Sequence, residues 1–149
     1  MGEFKLIQEI TTLSESDNWE EVKSEWVLNE IYFSENPDTC LCGHYPIKEL
    51  CEIKNRLNSK SVVVGNCCVK KFIGLPSDNI FQALKRVMKD YSKSLNVDAI
   101  EIAFYKNWIN EWEHDFYIDT FRKRKLTDRQ LVKRAQINEK VIRKIQFKK

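Results

Sequence analysis

Glycine and histidine are both scarce in this chain of 149 residues, which holds four glycines and two histidines. Four scattered glycines cannot build the loop whose backbone amides cradle phosphates, so no nucleotide-binding motif of that kind is present. His44 and His114 stand without an evident nucleophile or base partner, so the chain is not expected to be an enzyme. No run is long and apolar enough to cross a membrane, and none is expected to meet one. The first residues, MGEFKLIQEITTLSESDNW, lack the basic start and continuous apolar segment of a secretory signal, so a cytoplasmic location with reduced cysteines is expected. Internal repeats and low-complexity tracts are missing too. The length suits a single domain, 1–149, with a core of its own.

Five cysteines are what the chain does have, all in the run CLCGHYPIKELCEIKNRLNSKSVVVGNCCVKKF, and those at 40, 42, 51 and 68 are set around a hairpin. Thiolates two residues apart, with Gly43 next to let the backbone curl, suit a tetrahedral metal ion better than a disulfide framework. Cys40 and Cys42 form the firmest pair. Cys67 and Cys68 compete for a place on a helix beginning near Asn66, and Cys68 shares a face with Phe72, which turns its sulfur inward and sets Cys67 aside. The fourth ligand is Cys51, which alternates onto the strand face of Ile53, or His44 as the alternative. Four protein ligands would make the ion, zinc, a structural one. Only with Cys51 and His44 both absent would an open site with Glu49 or Glu52 as base be conceivable.

Along the chain, SESDNWEEVKSE starts a short helix with Trp19, Val22 and Trp26 at helical spacing, and a strand follows near Val27. Asn36, Pro37 and Asp38 read as a turn. KELCEIKN and SVVVGN flank RLNSK as a hairpin, after which Val69, Phe72 and Ile73 continue as a helix to Pro76. Knuckle, hairpin and helix in this order outline a treble-clef-like zinc fold. From Ser77 the chain reads as helices: Ile80, Leu84, Val87 and Met88 on one face, then a long stripe of Ile100, Phe104, Trp108, Trp112, Phe116 and Phe121 that breaks near Asn107. Thr127 and Gln130 make a capping box for a last helix with Leu131, Ile137, Val141, Ile142 and Ile145 as its apolar side. The fold class is thus α+β: an N-terminal helix and strand over 1–39, a zinc-binding module over 40–75, and a helical region with a basic C-terminus over 77–149.

As a group, NWEEVKSEW, TCLCGHYPIKELCEIKNRLNSKSVVVGNCCVKKF, INEWEHDFY, RKRKLTDRQ and INEKV resemble a family of small zinc-finger-like proteins of bacteriophages and bacterial genomes. Its hallmarks are C-x-C-G-H-x-P-I, a hairpin with C-x-I-x-N, and V-G-N-x-C-V-x-x-F. The resemblance covers most of 18–142. It implies Cys40, Cys42, Cys51 and Cys68 as ligands, includes His44, and leaves Cys67 at a variable position. Leu57, Asn58 and Ser59 depart from the usual Asn-Gly turn, which implies another turn type in the hairpin. The resemblance implies a metal-binding accessory protein of phage or mobile-element type and brings no activity with it.

Charge is unevenly spread. Residues 122–149 hold twelve Lys or Arg against Asp128 and Glu139, a net +10, so with +3 overall the rest sums to −7. Arg122, Lys123, Arg124, Lys125, Arg129, Lys133 and Arg134 are therefore expected to contact the phosphates of DNA or RNA, in a non-catalytic, zinc-stabilised nucleic-acid-binding protein. Trp108, Trp112, Phe116 and Tyr117 sit at helical spacing and are expected mostly in the core rather than stacked on bases. The alternative is an adaptor or inhibitor of a host protein, using the span from Glu15 to Glu52, where ten acids meet only Lys23 and Lys48.

Overall fold

A computed structural model describes residues 2–69, 74 and 76–148, leaving aside the side chains of residues 2, 3, 67 and 146–148. The chain is mixed α+β. Where the sequence reads as a single domain, it forms two compact units: Met1–Ser77 with Gln146–Lys149, and Asp78–Ile145. Among the described residues no helix is long and apolar enough to cross a membrane.

The first unit is built on a four-stranded sheet. Helix α1 (Gly2–Thr12), which the sequence pattern does not announce, buries Leu6 and Ile10 one turn apart. Helix α2 (Trp19–Glu25) is capped by Asn18, whose side-chain oxygen accepts from the amides of Glu20 and Glu21. Trp26 ends that helix and opens β1 (Trp26–Asp38). Asn36, Pro37 and Asp38 belong to this strand rather than to a turn. They fall where the pairing with β2 (Ile47–Asn55) shifts register between Phe33 and Asp38, so Pro37 forfeits no ladder bond there. Strand β3 (Ser61–Gly65) completes the expected hairpin, with Cys51 opposite Val64 and Ile53 opposite Val62.

The hairpin loop owes its shape to Asn55. Its Oδ1 accepts from the amides of Leu57 and Asn58 at 2.8 and 3.2 Å, while Ser59 takes φ 64° in place of the glycine a tight turn would use. The Asn55 amide group also donates to Glu25 Oε1 at 2.8 Å, and the Glu25 carboxylate accepts the backbone amides of Glu15 and Ser16. One buried carboxylate thereby ties the α1–α2 loop to the hairpin. After the last helix the chain returns as β4 (Gln146–Lys148), parallel to β1 in the order β3-β2-β1-β4. The basic C-terminus is thus not helical to its end.

Short helix α3 (Asn66–Cys68) follows β3. The expected continuation through Phe72 and Ile73 lies outside the described residues.

The second unit contains α4 (Ser77–Lys89), whose first residue belongs to the other unit, then α5 (Val97–Tyr105), α6 (Glu111–Thr120) and α7 (Asp128–Lys144). Its core holds Phe81, Leu84, Val87, Ile100, Ala103, Tyr117, Ile137 and Val141, all fully buried. The long aromatic stripe breaks as expected at Asn107. That residue takes φ 61°, its amide donates to Phe104 O, and the Trp108 amide reaches Ala103 O, a left-handed helix stop that asparagine tolerates better than most side chains. Asn110 with Glu113 then restarts the chain as α6, and Thr127 with Gln130 forms the expected capping box of α7. A buried polar relay crosses the unit: the Leu95 amide donates to the Tyr117 hydroxyl, which donates to Asn138, whose amide group donates to the carbonyls of Tyr91 and Lys93.

Candidate metal centre and basic surface

Cys40, Cys42 and Cys68 come together, with sulfurs all within 4.8 Å of one another and the residues 4%, 9% and 7% exposed. The first two lie in the connection from β1 to β2, the third on α3 just beyond β3. The connection is a tight knuckle. The Gly43 amide donates to Cys40 O at 2.8 Å, the Cys40 amide to His44 O at 2.9 Å, and Gly43 takes φ 93°, a conformation that other residues adopt only with strain. Gly65 contributes through close approach instead. Its amide reaches Cys40 Sγ at 3.2 Å, and a Cβ there would crowd Ile47 at 3.3 Å and that sulfur at 3.6 Å.

Backbone amides thus point at two of the sulfurs, Gly65 at Cys40 and His44 at Cys42. Burial alone would raise the Cys42 thiol, but the His44 amide at 3.4 Å and the neighbouring sulfurs outweigh it and lower the pKa. Cys68 goes the other way, raised by burial and by its bonds to Cys42 and Cys40. Cys40 and Cys68 stand 3.5 Å apart as free thiols rather than a disulfide. Three crowded sulfurs competing for protons can all become thiolates if a cation replaces those protons. The ammonium of Lys5 comes within 3.8 Å of where a side chain on Gly43 would begin, a nearby positive charge that α1 brings and that no motif in the sequence signals. The three cysteines could hold a metal ion.

Cys51 is not part of this group. It faces inward as the strand alternation implies, and it sits in the middle of β2, opposite Ile31 and Val64. It is fully buried, and burial, with a smaller effect from the Glu49 charge, pushes its thiol up to about 12. It is a core residue in contact with Ser77, whose hydroxyl also donates to Asn66 Oδ1. His44 lies outside the close group as well: it is exposed, and it shapes the knuckle through its backbone. The side chain of Cys67 lies outside the described residues. Glu49 accepts from the Asn66 amide group, and Glu52 from Asn29 and Tyr32, so neither joins the sulfur cluster as a base.

The expected phosphate-contact residues divide as well. Arg122, Lys123, Arg124, Lys125 and Arg129 are exposed, and Lys133 is half-buried. Arg134 is corrected from surface to core at 6% exposed: its Nη2 donates to Thr120 O at 2.9 Å and its guanidinium lies 6.0 Å from the centre of the Tyr117 ring. The register of α7 dictates this, because Arg134 stands three, four and seven residues before Ile137, Asn138 and Val141, the buried stripe. That spacing is readable in the sequence.

A second set of cations lies outside the expected tail. Lys85, Arg86, Lys89 and Lys93 line an open cleft of about 460 Å³ with Gln82 and Asp90. Arg86 donates to Ser94 O at 2.8 Å, and the Ser94 hydroxyl donates to Phe121 O at 2.9 Å, immediately before Arg122. The two basic clusters are therefore neighbours, joined through one serine. Comparison with protein-family models, curated proteins and solved structures finds no match to this chain, so the reading of both features rests on their geometry and chemistry.

Proposed function

We propose that the chain is a non-catalytic binding module in which zinc stabilises the first unit and the cations of the second contact nucleic-acid phosphates. Soft thiolate donors at this spacing favour zinc, and a knuckle plus a helix start as the two sources of ligands is the treble-clef plan. The burial of all three sulfurs, with no imidazole or carboxylate in the group, supports a structural ion rather than a reactive one.

The observation that carries the nucleic-acid reading is the joined basic surface: Lys85, Arg86, Lys89 and Lys93 beside Arg122, Lys123, Arg124 and Lys125 through the Arg86–Ser94–Phe121 bonds. Each lysine or arginine that neutralises a phosphate releases counterions, so binding must weaken steeply with salt. The test is affinity for DNA and RNA across a salt series, with Arg122, Lys123, Arg124 and Lys125 replaced together by alanine. Wild type should lose affinity in proportion to a power of the salt concentration, and the variant should lower that power by about 4. Salt-independent binding, or a slope the variant leaves unchanged, would overturn the reading.

A further inference from the structure

We infer that Trp112 is a stacking platform for an unpaired base, which makes single-stranded nucleic acid the ligand of the basic surface. This rests on the nucleic-acid reading above and narrows it. Helix α6 sorts its aromatics sharply. Tyr117 is fully buried, and Trp108 just before the helix is 6% exposed, yet Trp112 is 59% exposed. The ring is also held in place: Phe116 stacks on it with centroids 5.5 Å apart and planes within 9°. Two neighbouring parallel rings, one mostly in solvent, offer a flat, rigid surface of the kind bases stack on.

The charge around the platform selects the partner. Lys133 Nζ lies over the Trp112 ring, 5.0 Å from its centre, so a base stacking on that face displaces the ammonium toward its own phosphate; Lys133 with Asp128, Arg129, Val132 and Gln136 borders an open cleft of about 330 Å³. At the other end of α6, Arg122 covers Phe121 at 5.2 Å. The helix carries carboxylates as well, but Glu113 is bonded to Lys140 and Asp115 to His114. The exposed carboxylates Glu111, Asp119 and Asp128 are outnumbered by the cations Arg122, Lys123, Arg124, Lys125, Arg129 and Lys133. An aromatic platform flanked by cations suits a strand whose base faces are free. A duplex hides those faces within its own stack, so it could use the cations but not the tryptophan.

The test uses the full-length protein, loaded with zinc, and three probes: oligothymidylate or oligouridylate, a duplex of equal length, and inorganic polyphosphate as a polyanion without bases. Single strands should bind more tightly than the duplex and quench tryptophan emission. Trp112→Ala should weaken single-strand binding about tenfold or more and leave polyphosphate unaffected, whereas Trp112→Phe retains most of the affinity. Preference for oligothymidylate or for oligouridylate reports the sugar, and either supports the inference. Equal binding of all three probes with no effect of Trp112→Ala would overturn the stacking site and leave the phosphate surface standing. A Trp112→Ala effect on self-association alone would overturn it too, in favour of a second copy as the cover. No binding of any polyanion would remove both readings.

Discussion

The two units solve the same problem, holding polar groups inside a small structure, by opposite means. In the first, three buried cysteines gather at the end of a sheet, where their sulfurs could hold a metal ion. In the second, a central set of buried polar groups is mutually paired, although Arg134 Nε is buried without a partner. The Tyr117 hydroxyl, the Asn138 side chain and three backbone groups, the Leu95 amide and the Tyr91 and Lys93 carbonyls, form a closed relay, and both α6 and α7 carry reciprocal capping boxes. On the proposed zinc reading, the first unit is vulnerable to loss of an ion and the second to loss of single hydrogen bonds.

Removing the metal with a chelator, or replacing Cys68 by alanine, gives the largest effect. It should cost on the order of 10 kcal/mol of apparent stability, the scale of a structural zinc site at neutral pH. Hydrogen exchange should show protection lost in β1–β3 and retained in α4–α7. Loss of protection in both sets at once would break the contrast. Next is Tyr117→Phe, which leaves the Leu95 amide and Asn138 Oδ1 short of a buried partner and should cost about 1–3 kcal/mol in urea unfolding, with metal content unchanged. Thr127→Ala removes the side-chain half of the α7 capping box for about 1 kcal/mol, measured in the same way.

The smallest effect is one of pH. The Glu25 carboxyl lies below its ordinary value because of the Asn55 side-chain bond and, next, the bonds from the Glu15 and Ser16 amides. A pKa depressed by folding contributes stability above the ordinary carboxylate range, and that contribution is lost as the pH falls through the folded value. The melting temperature of the protein should therefore drop on acidification below about pH 4.5, the unperturbed value. Glu25→Gln should flatten that part of the profile, and an unchanged profile would show that the Glu25 bonds carry no weight.

Much of this is legible in the sequence where one local rule decides. The hairpin, the stop at Asn107 and the capping box at Thr127 each follow from a few adjacent residues, and each stands in the structure. Cys40, Cys42 and Cys68 are legible for the same reason, a two-residue spacing with glycine and an inward helical position. Inward orientation is not enough by itself: Cys51 has the inward face that alternation implies, yet its sulfur is not part of the group of three. Arg134 misleads through composition, since counting basic residues ignores that its register belongs to the buried stripe. Strand β4 depends on a long-range neighbour, Tyr32 with Gln146, which no local pattern announces, whereas the α4 cleft is lined by residues 82–93 whose local spacing the sequence does show. Trp112 and Trp108 share one spacing in the sequence, and only packing separates them.

The most direct test of the metal centre is zinc per chain, measured on the purified wild type and on Cys68→Ser and Cys51→Ala side by side. The geometry predicts one zinc in the wild type, one in Cys51→Ala, and none in Cys68→Ser. Loss of zinc from Cys51→Ala while Cys68→Ser keeps its ion would contradict the assignment of the centre to Cys40, Cys42 and Cys68.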